Sequence, residues 1–235
     1  MFQRLPDVVK NLLIINVLFF LATLGYPEFM YDKFALYYPS SDQFMPHQLI
    51  THMFMHGGML HLFGNMFALF IFGPPLEMRF GSKRFLIYFM LTGLGAAGLH
   101  LFVKYLEVQS LMASTDPDLV LQVMERGREI MASGKQFVDE NAAALNLALN
   151  TPTVGASGAV FGVLLAFGML FPNTYLYLYF AIPIKAKHFV ILYGGAELLL
   201  AFQNNPGDNV AHFAHLGGML FGFILLRYWR NKRII

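Results

Sequence analysis

Residues 155–162 read Gly-Ala-Ser-Gly-Ala-Val-Phe-Gly, and the chain runs straight on as VLLAFGMLF. One hydroxyl, that of Ser157, sits among three glycines at the mouth of a long apolar run. A surface loop does not lead directly into such a run. The serine is either a packing residue bonded back to its own helix or a group with a task. The rest of the chain has to decide between them.

Of the 235 residues, 57% are hydrophobic and 13% charged, where an ordinary soluble domain has about 25% charged. The mean hydropathy is +0.53. With 25 Phe and 14 Met, there is more apolar surface than a soluble fold of this length hides. The expected solvent is a lipid bilayer. A net charge of +2, with no basic cluster interleaved with aromatics, is too small to suggest a nucleic-acid partner, and none is expected. The absence of cysteine excludes disulfides, thiolate metal sites and a cysteine nucleophile.

Six apolar segments are predicted, at 8–26, 59–76, 84–104, 154–171, 188–203 and 210–228. Most approach the roughly 20 residues a helix needs to cross a bilayer. The first lacks a small-residue cleavage site and reads as a retained signal anchor. With six crossings, the segments on the side of both termini hold eleven of the 16 Lys/Arg but only two acids, Asp7 and Glu77. The opposite segments hold five Lys/Arg and eleven acids, and Glu197 lies inside the fifth apolar segment. Basic residues stay cytoplasmic, so both termini are expected there, in the plasma membrane. The tail RYWRNKRII reads as an interfacial anchor.

The whole chain, 1–235, is predicted to be a single membrane domain. Residues 105–150 differ within it: three Lys/Arg stand against seven acids. Pro117 can open a helix capped by Thr115 or Asp116, and VDENAAALNLALN suits a second helix. The expectation is an extracytoplasmic insert of one or two amphipathic helices lying on the membrane surface. A disordered loop is the alternative.

Polar groups inside apolar segments are expensive, so each needs a reason. The second segment carries His61 and Asn65, four apart on one helix face. The fourth carries Ser157, and the sixth His212 and His215. These three segments all enter the membrane from the same side. His61, Asn65, Ser157 and His215 therefore share a depth, within about 10 Å of the outer surface. Small residues, Gly155 and Gly158 in one segment and Gly217, Gly218 and Gly222 in the other, let two helices approach closely. That approach would bring His215 to Ser157 as a base beside a nucleophile. The free N–H groups at a helix start suit an oxyanion.

GASG at 155–158 and AHLGGMLFG at 214–222 resemble the serine and histidine motifs of the rhomboid intramembrane serine proteases. HMFMHGGMLHLFGNM at 52–66 resembles that family's second-helix motif, and EMRFGSKRF at 77–85 its turn between helices two and three. The resemblance covers roughly 45–228 apart from the insert. It implies an all-α, six-helix rhomboid-like bundle with the insert between helices three and four. It implies Ser157 as nucleophile and His215 as general base, in a dyad without an acidic third member. His61, Asn65 and the Ser157 N–H would form the oxyanion hole. Phe161 would stack on His215, where many relatives have tyrosine, and Gly218 would be the close-contact glycine. Substrates would be single-span membrane proteins cut near the outer face, with no cofactor. Two departures stand out. Many relatives carry a Trp-Arg pair in the first loop, where this chain reads Pro46-His47-Gln48-Leu49, and the insert is longer than the third loop of minimal bacterial members.

Other readings sit beside these. His47, His52 and His56 could hold a metal, but no carboxylate or cysteine joins them; His52 and His56 read rather as supports of the first loop and the start of the second helix. His212 competes with His215 for the role of base. Glu197 has either a functional role or an end-of-helix hydrogen bond. Glu77, Arg79 and Ser82 read as ties of the inner turn. The whole chain could also be an inactive rhomboid relative that binds membrane proteins, or a transporter built on the histidines. The sequence leaves the oligomeric state open.

Overall fold

The computed structural model describes residues 5–178, 181–203 and 211–234. Arg4, Asp208 and the first residue of the expected 210–228 segment lie outside them. The chain runs α1 (Asp7–Gly25), α2 (Pro27–Phe34) and α3 (Gln48–Thr51), with a 3-10 turn at His52–Phe54. It continues as α4 (Met59–Phe80), α5 (Ser82–Ser114), α6 (Pro117–Ala132), α7 (Glu140–Asn150) and α8 (Ser157–Leu170). A hairpin of β1 (Tyr175–Leu178) and β2 (Ile182–Lys185) leads into α9 (Ala186–Gln203) and α10 (His212–Asn231).

Among the described residues three helices, α1, α4 and α5, are long and apolar enough to cross a membrane. Their outward faces expose large apolar side chains such as Leu18, Leu21, Phe63, Phe70 and Leu91, as helices facing lipid must. α8 has 14 residues, about 21 Å at 1.5 Å each. It is apolar all round and is buried among α4, α5, α9 and α10, where a helix with no polar face belongs. On one side Tyr88 of α5 donates to the Gly162 carbonyl at 2.9 Å.

Glu77 closes the end of the bundle where α4 turns into α5. Its buried carboxylate accepts from the backbone N–H groups of Val8 (3.0 Å) and Val9 (2.8 Å), and from Ser82 Oγ at 2.6 Å. An anion at the first turn of α1 satisfies donors the helix cannot satisfy itself. Glu77 and Ser82 thus tie the turn as expected, and α1 is tied in with them.

Residues 105–150 depart from expectation. α5 stays helical to Ser114, ten residues past the predicted end at 104. The extension gives α6 and α7 a protein surface to pack on: Val108, Val123, Ala142, Leu145 and Leu149 form a separate small core with Tyr38. Large apolar side chains of the pair, Leu121 and Met124 of α6 and Leu147 of α7, stay exposed beside this core. Asp116 and Asp139 cap the two helices, accepting from the N–H groups of Asp118 and Ala142. The hairpin was not predicted. It pairs Tyr175 with Lys185 and Leu178 with Ile182, antiparallel.

Candidate active site

Three helices begin at the same end of the bundle. Ser157 is the first residue of α8, His61 the third of α4 and His215 the fourth of α10. Because α8 starts at Ser157, the N–H groups of Ser157, Gly158 and Ala159 have no partner within the helix, the first internal bond being Val160 N–H to the Ala156 carbonyl.

Two glycines set how closely α8 and α10 meet. A Cβ on Gly218 would fall on the carbonyl of Gly158, a backbone atom that cannot turn aside. One turn along α8 from Ser157, the Phe161 ring lies parallel to the His215 ring, with centroids 4.1 Å apart and planes 7° from parallel. Phe161 also meets Tyr193 of α9 at 5.0 Å. The expected stack and the expected glycine contact are therefore both present. Among the described residues there is no direct hydrogen bond between Ser157 and His215. Catalytic pairs are often long before substrate tightens them.

His61 comes to the serine from the other side. Gly155, at φ +134°, is in a backbone conformation that favours glycine. A Cβ there would lie 2.9 Å from His61 Nε2 and 3.4 Å from Ser157 Oγ. The space between imidazole and hydroxyl exists because residue 155 has no side chain. Asn65, one turn below His61, is buried with its amide Nδ2 unpartnered. A buried orphan donor is costly unless something else comes to accept from it. A cavity of about 20 Å³ beside Ser157 and Gly155, bordered by His52, His100 and Thr153, has room for about one water.

The first loop braces this end. Leu36 and Thr153 exchange two backbone hydrogen bonds, of 2.9 and 2.8 Å, and Gly155 N–H donates to the His52 carbonyl at 2.9 Å. Gln48, fully buried, donates to the Asp32 and Gln43 carbonyls and accepts from the Met45 N–H. In place of the Trp-Arg pair, Gln48 anchors the loop, a role the sequence analysis did not assign to it. His47 bonds the Lys33 carbonyl and His52 the Gln48 carbonyl through its Nδ1. His47 and His52 are thus each held by a backbone carbonyl, while both ring nitrogens of His56 are buried without a hydrogen-bond partner among the described residues. Burial pushes the His52 and His56 rings down to about 4, with the nearby His61 adding to the effect at His56, so both are neutral at neutral pH. His56 packs edge-on against His61, at 5.0 Å between ring centroids.

Glu197 is the residue whose part sequence reasoning missed. Its Oε2 lies 2.9 Å from His215 Nδ1 and 2.6 Å from His212 Nδ1, with all three side chains buried. The resemblance implies a dyad without an acidic third member; here a carboxylate meets the His215 ring at Nδ1. The three ligand-type atoms lie within 4.8 Å of one another. Two ligands about 2.0 Å from a tetrahedral zinc stay roughly 3.3 Å apart; the shorter separations here are those of hydrogen bonds. One clue was legible: His212 and His215 are three apart and so share a helix face.

A Rhomboid domain profile matches residues 43–116 and 122–232. The chain belongs to the rhomboid family. It is 30% identical over 213 residues to RHOMBOID-like protein 12, mitochondrial, of Arabidopsis thaliana, covering 90% of this chain and 55% of that protein. It is 26% identical over 186 residues to Rhomboid protein 1, mitochondrial, of Saccharomyces cerevisiae, covering 79% of this chain and 42% of that one. The chain spans about half the length of these two relatives. Rhomboids are generally intramembrane serine proteases that act on membrane proteins in the bilayer, and this chain, with its apolar helices, is a membrane protein.

Proposed function

We propose that this rhomboid is an active intramembrane serine endopeptidase that cuts single-span membrane proteins near the extracytoplasmic face. Ser157 is the nucleophile and His215 the general base. His61, Asn65 and the Ser157 N–H make up the oxyanion hole. The observation that carries this reading is the parallel stack of His215 on Phe161, one turn from Ser157. A base held by its face against the helix that bears the serine is confined to the serine's neighbourhood.

In the proposed reaction Ser157 Oγ attacks the carbonyl carbon of the scissile peptide and its proton passes to His215 Nε2. The developing oxyanion takes hydrogen bonds from the Ser157 N–H, from Asn65 Nδ2 and from the ring of His61. His215 then protonates the leaving amine, and a water hydrolyses the ester with His215 again as base. The one-water cavity beside Ser157 is suited to hold such a water. Six crossings, of α1, α4, α5, α8, α9 and α10, would put both termini on the basic, cytoplasmic side of the plasma membrane. α6 and α7 would then lie outside it, as an extracytoplasmic insert. The two relatives are named as mitochondrial; a mitochondrial location of this protein would correct the choice of membrane and leave the chemistry untouched.

The test needs no known substrate. The detergent-purified protein is treated with a fluorescent fluorophosphonate, which reacts with activated serines. Wild type and His212→Ala should label; Ser157→Ala and His215→Ala should not. A folded wild type that takes no label would refute the reading.

A further inference from the structure

Among the described residues the His215 ring meets Phe161, Glu197 and His212, and the proposed chemistry leaves the Glu197 contact without a role. Phe161 covers one face. Nε2 is the nitrogen left for Ser157. Glu197 Oε2 lies 2.9 Å from Nδ1. An ionised carboxylate only accepts hydrogen bonds. A carboxylate bonded to both Nδ1 atoms therefore fixes Nδ1 of each ring as the protonated nitrogen, and leaves Nε2 of His215 with the lone pair a base requires.

The acid is itself held. His212 Nδ1 meets the same oxygen at 2.6 Å, and Glu197 is 4% exposed. A buried carboxylate with one donor would be expensive; with two it is better compensated. Tyr193, one turn before Glu197 on α9, packs on the ring of Phe161. So α9 holds His215 twice, through the carboxylate directly and through Tyr193 and Phe161 in turn.

We infer that Glu197 is a positioning residue for the His215 base, holding its Nδ1–H so that Nε2 faces Ser157, with His212 fixing the carboxylate from the other side. This rests on Ser157 and His215 acting as proposed above. When Ser157 gives up its proton, the proton goes to Nε2, and the Nδ1 proton stays where it is. Glu197 stabilises the imidazolium without taking a proton, as the acid of a serine triad does. His212 is thereby the partner of the acid and not a competing base.

The test compares wild type with Glu197→Gln, His212→Ala and Glu197→Asp in fluorophosphonate labelling rates, pH profiles and melting in detergent. Glu197→Gln should label at least ~10-fold more slowly, with ~10⁴ the limit set by loss of the acid from a serine triad. Its acid limb should move to lower pH, because a carboxylate that favours the charged ring has been removed. His61, His100 and Tyr193 are further titratable groups near this pair; all three are unchanged in these variants, so the limb reports the loss of Glu197. His212→Ala should lose less than Glu197→Gln. If Glu197→Gln does not fold, Glu197→Asp carries the test: it keeps the charge but shortens the reach, and should be slow with its limb in place. A folded Glu197→Gln with wild-type rate and limb, or a Glu197→Asp that labels like wild type, overturns the inference alone. A folded wild type that never labels overturns both it and the proposed function.

Discussion

The rings of Phe161 and His215 lie face to face, 4.1 Å apart at their centroids. Such a pair is worth about 0.5–1.5 kcal/mol beyond the area it buries. Phe161→Leu keeps most of the volume and loses the ring. It should slow labelling by about 2- to 10-fold, the same energy expressed as a rate, while Phe161→Tyr stays close to wild type. Phe161→Ala opens a cavity costing about 3–5 kcal/mol and should lower the melting temperature markedly. Labelling rates and melting curves on the three variants separate ring from volume.

Asn65 makes the opposite prediction. Its Nδ2 is buried and already unpaired, so Asn65→Ala removes a polar group that contributes nothing to the resting fold. The variant should melt at or above the wild-type temperature and yet lose ~10²–10³ in rate, the scale of one oxyanion donor. Full activity would remove Asn65 from the site.

Glycines divide by what surrounds them. Gly218→Ala drives a methyl into the Gly158 carbonyl and should cost about 1–3 kcal/mol or more, with labelling lost as α10 is pushed off α8. Gly195, on α9, has nothing within 4 Å of where a Cβ would be, and Gly195→Ala should be neutral or stabilising by up to about 1 kcal/mol. Melting of the two variants side by side checks the contrast.

The buried histidines set an acid limit on stability. His52 and His56 are each lowered to about 4, against about 6.5 in an unfolded chain. Between those values the unfolded chain binds protons that the folded one refuses. Stability should therefore be intact above pH 6.5 and fall as pH drops toward 4, by roughly 1.4 kcal/mol per pH unit for each histidine. Melting curves from pH 7 to 4.5 read this directly, and His52→Gln should flatten the slope.

The apolar helices were legible because a bilayer demands long unbroken runs. The predicted 8–26 and the observed Asp7–Gly25 differ by one residue at each end. α4 runs on through Pro74 and Pro75 to Phe80, past the predicted end at 76, because Glu77 finds its donors on α1 and Ser82 and so can stay in the helix. The overrun of α5 to Ser114 had the same kind of cause, a partner surface not visible locally. The hairpin had a signal, the alternation Tyr175-Leu176-Tyr177-Leu178, which is the period of a strand. In the site, Ser157, His61, Asn65 and His215 could be named from spacing and resemblance. The pairing of Glu197 with two histidines 15 and 18 residues later could not, because it depends on how α9 is turned against α10.

Leu36 and Thr153 hold hands across the chain, but His215 is carried by α10, which follows α8 and α9 in the chain. On the proposed chemistry this orders the protein's birth. A nascent chain that has made α8 already owns its serine and the brace behind it, yet has neither base nor acid. It becomes dangerous to other membrane proteins only when α10 slides in against Gly158, so the protease is disarmed for as long as α10 has yet to be made.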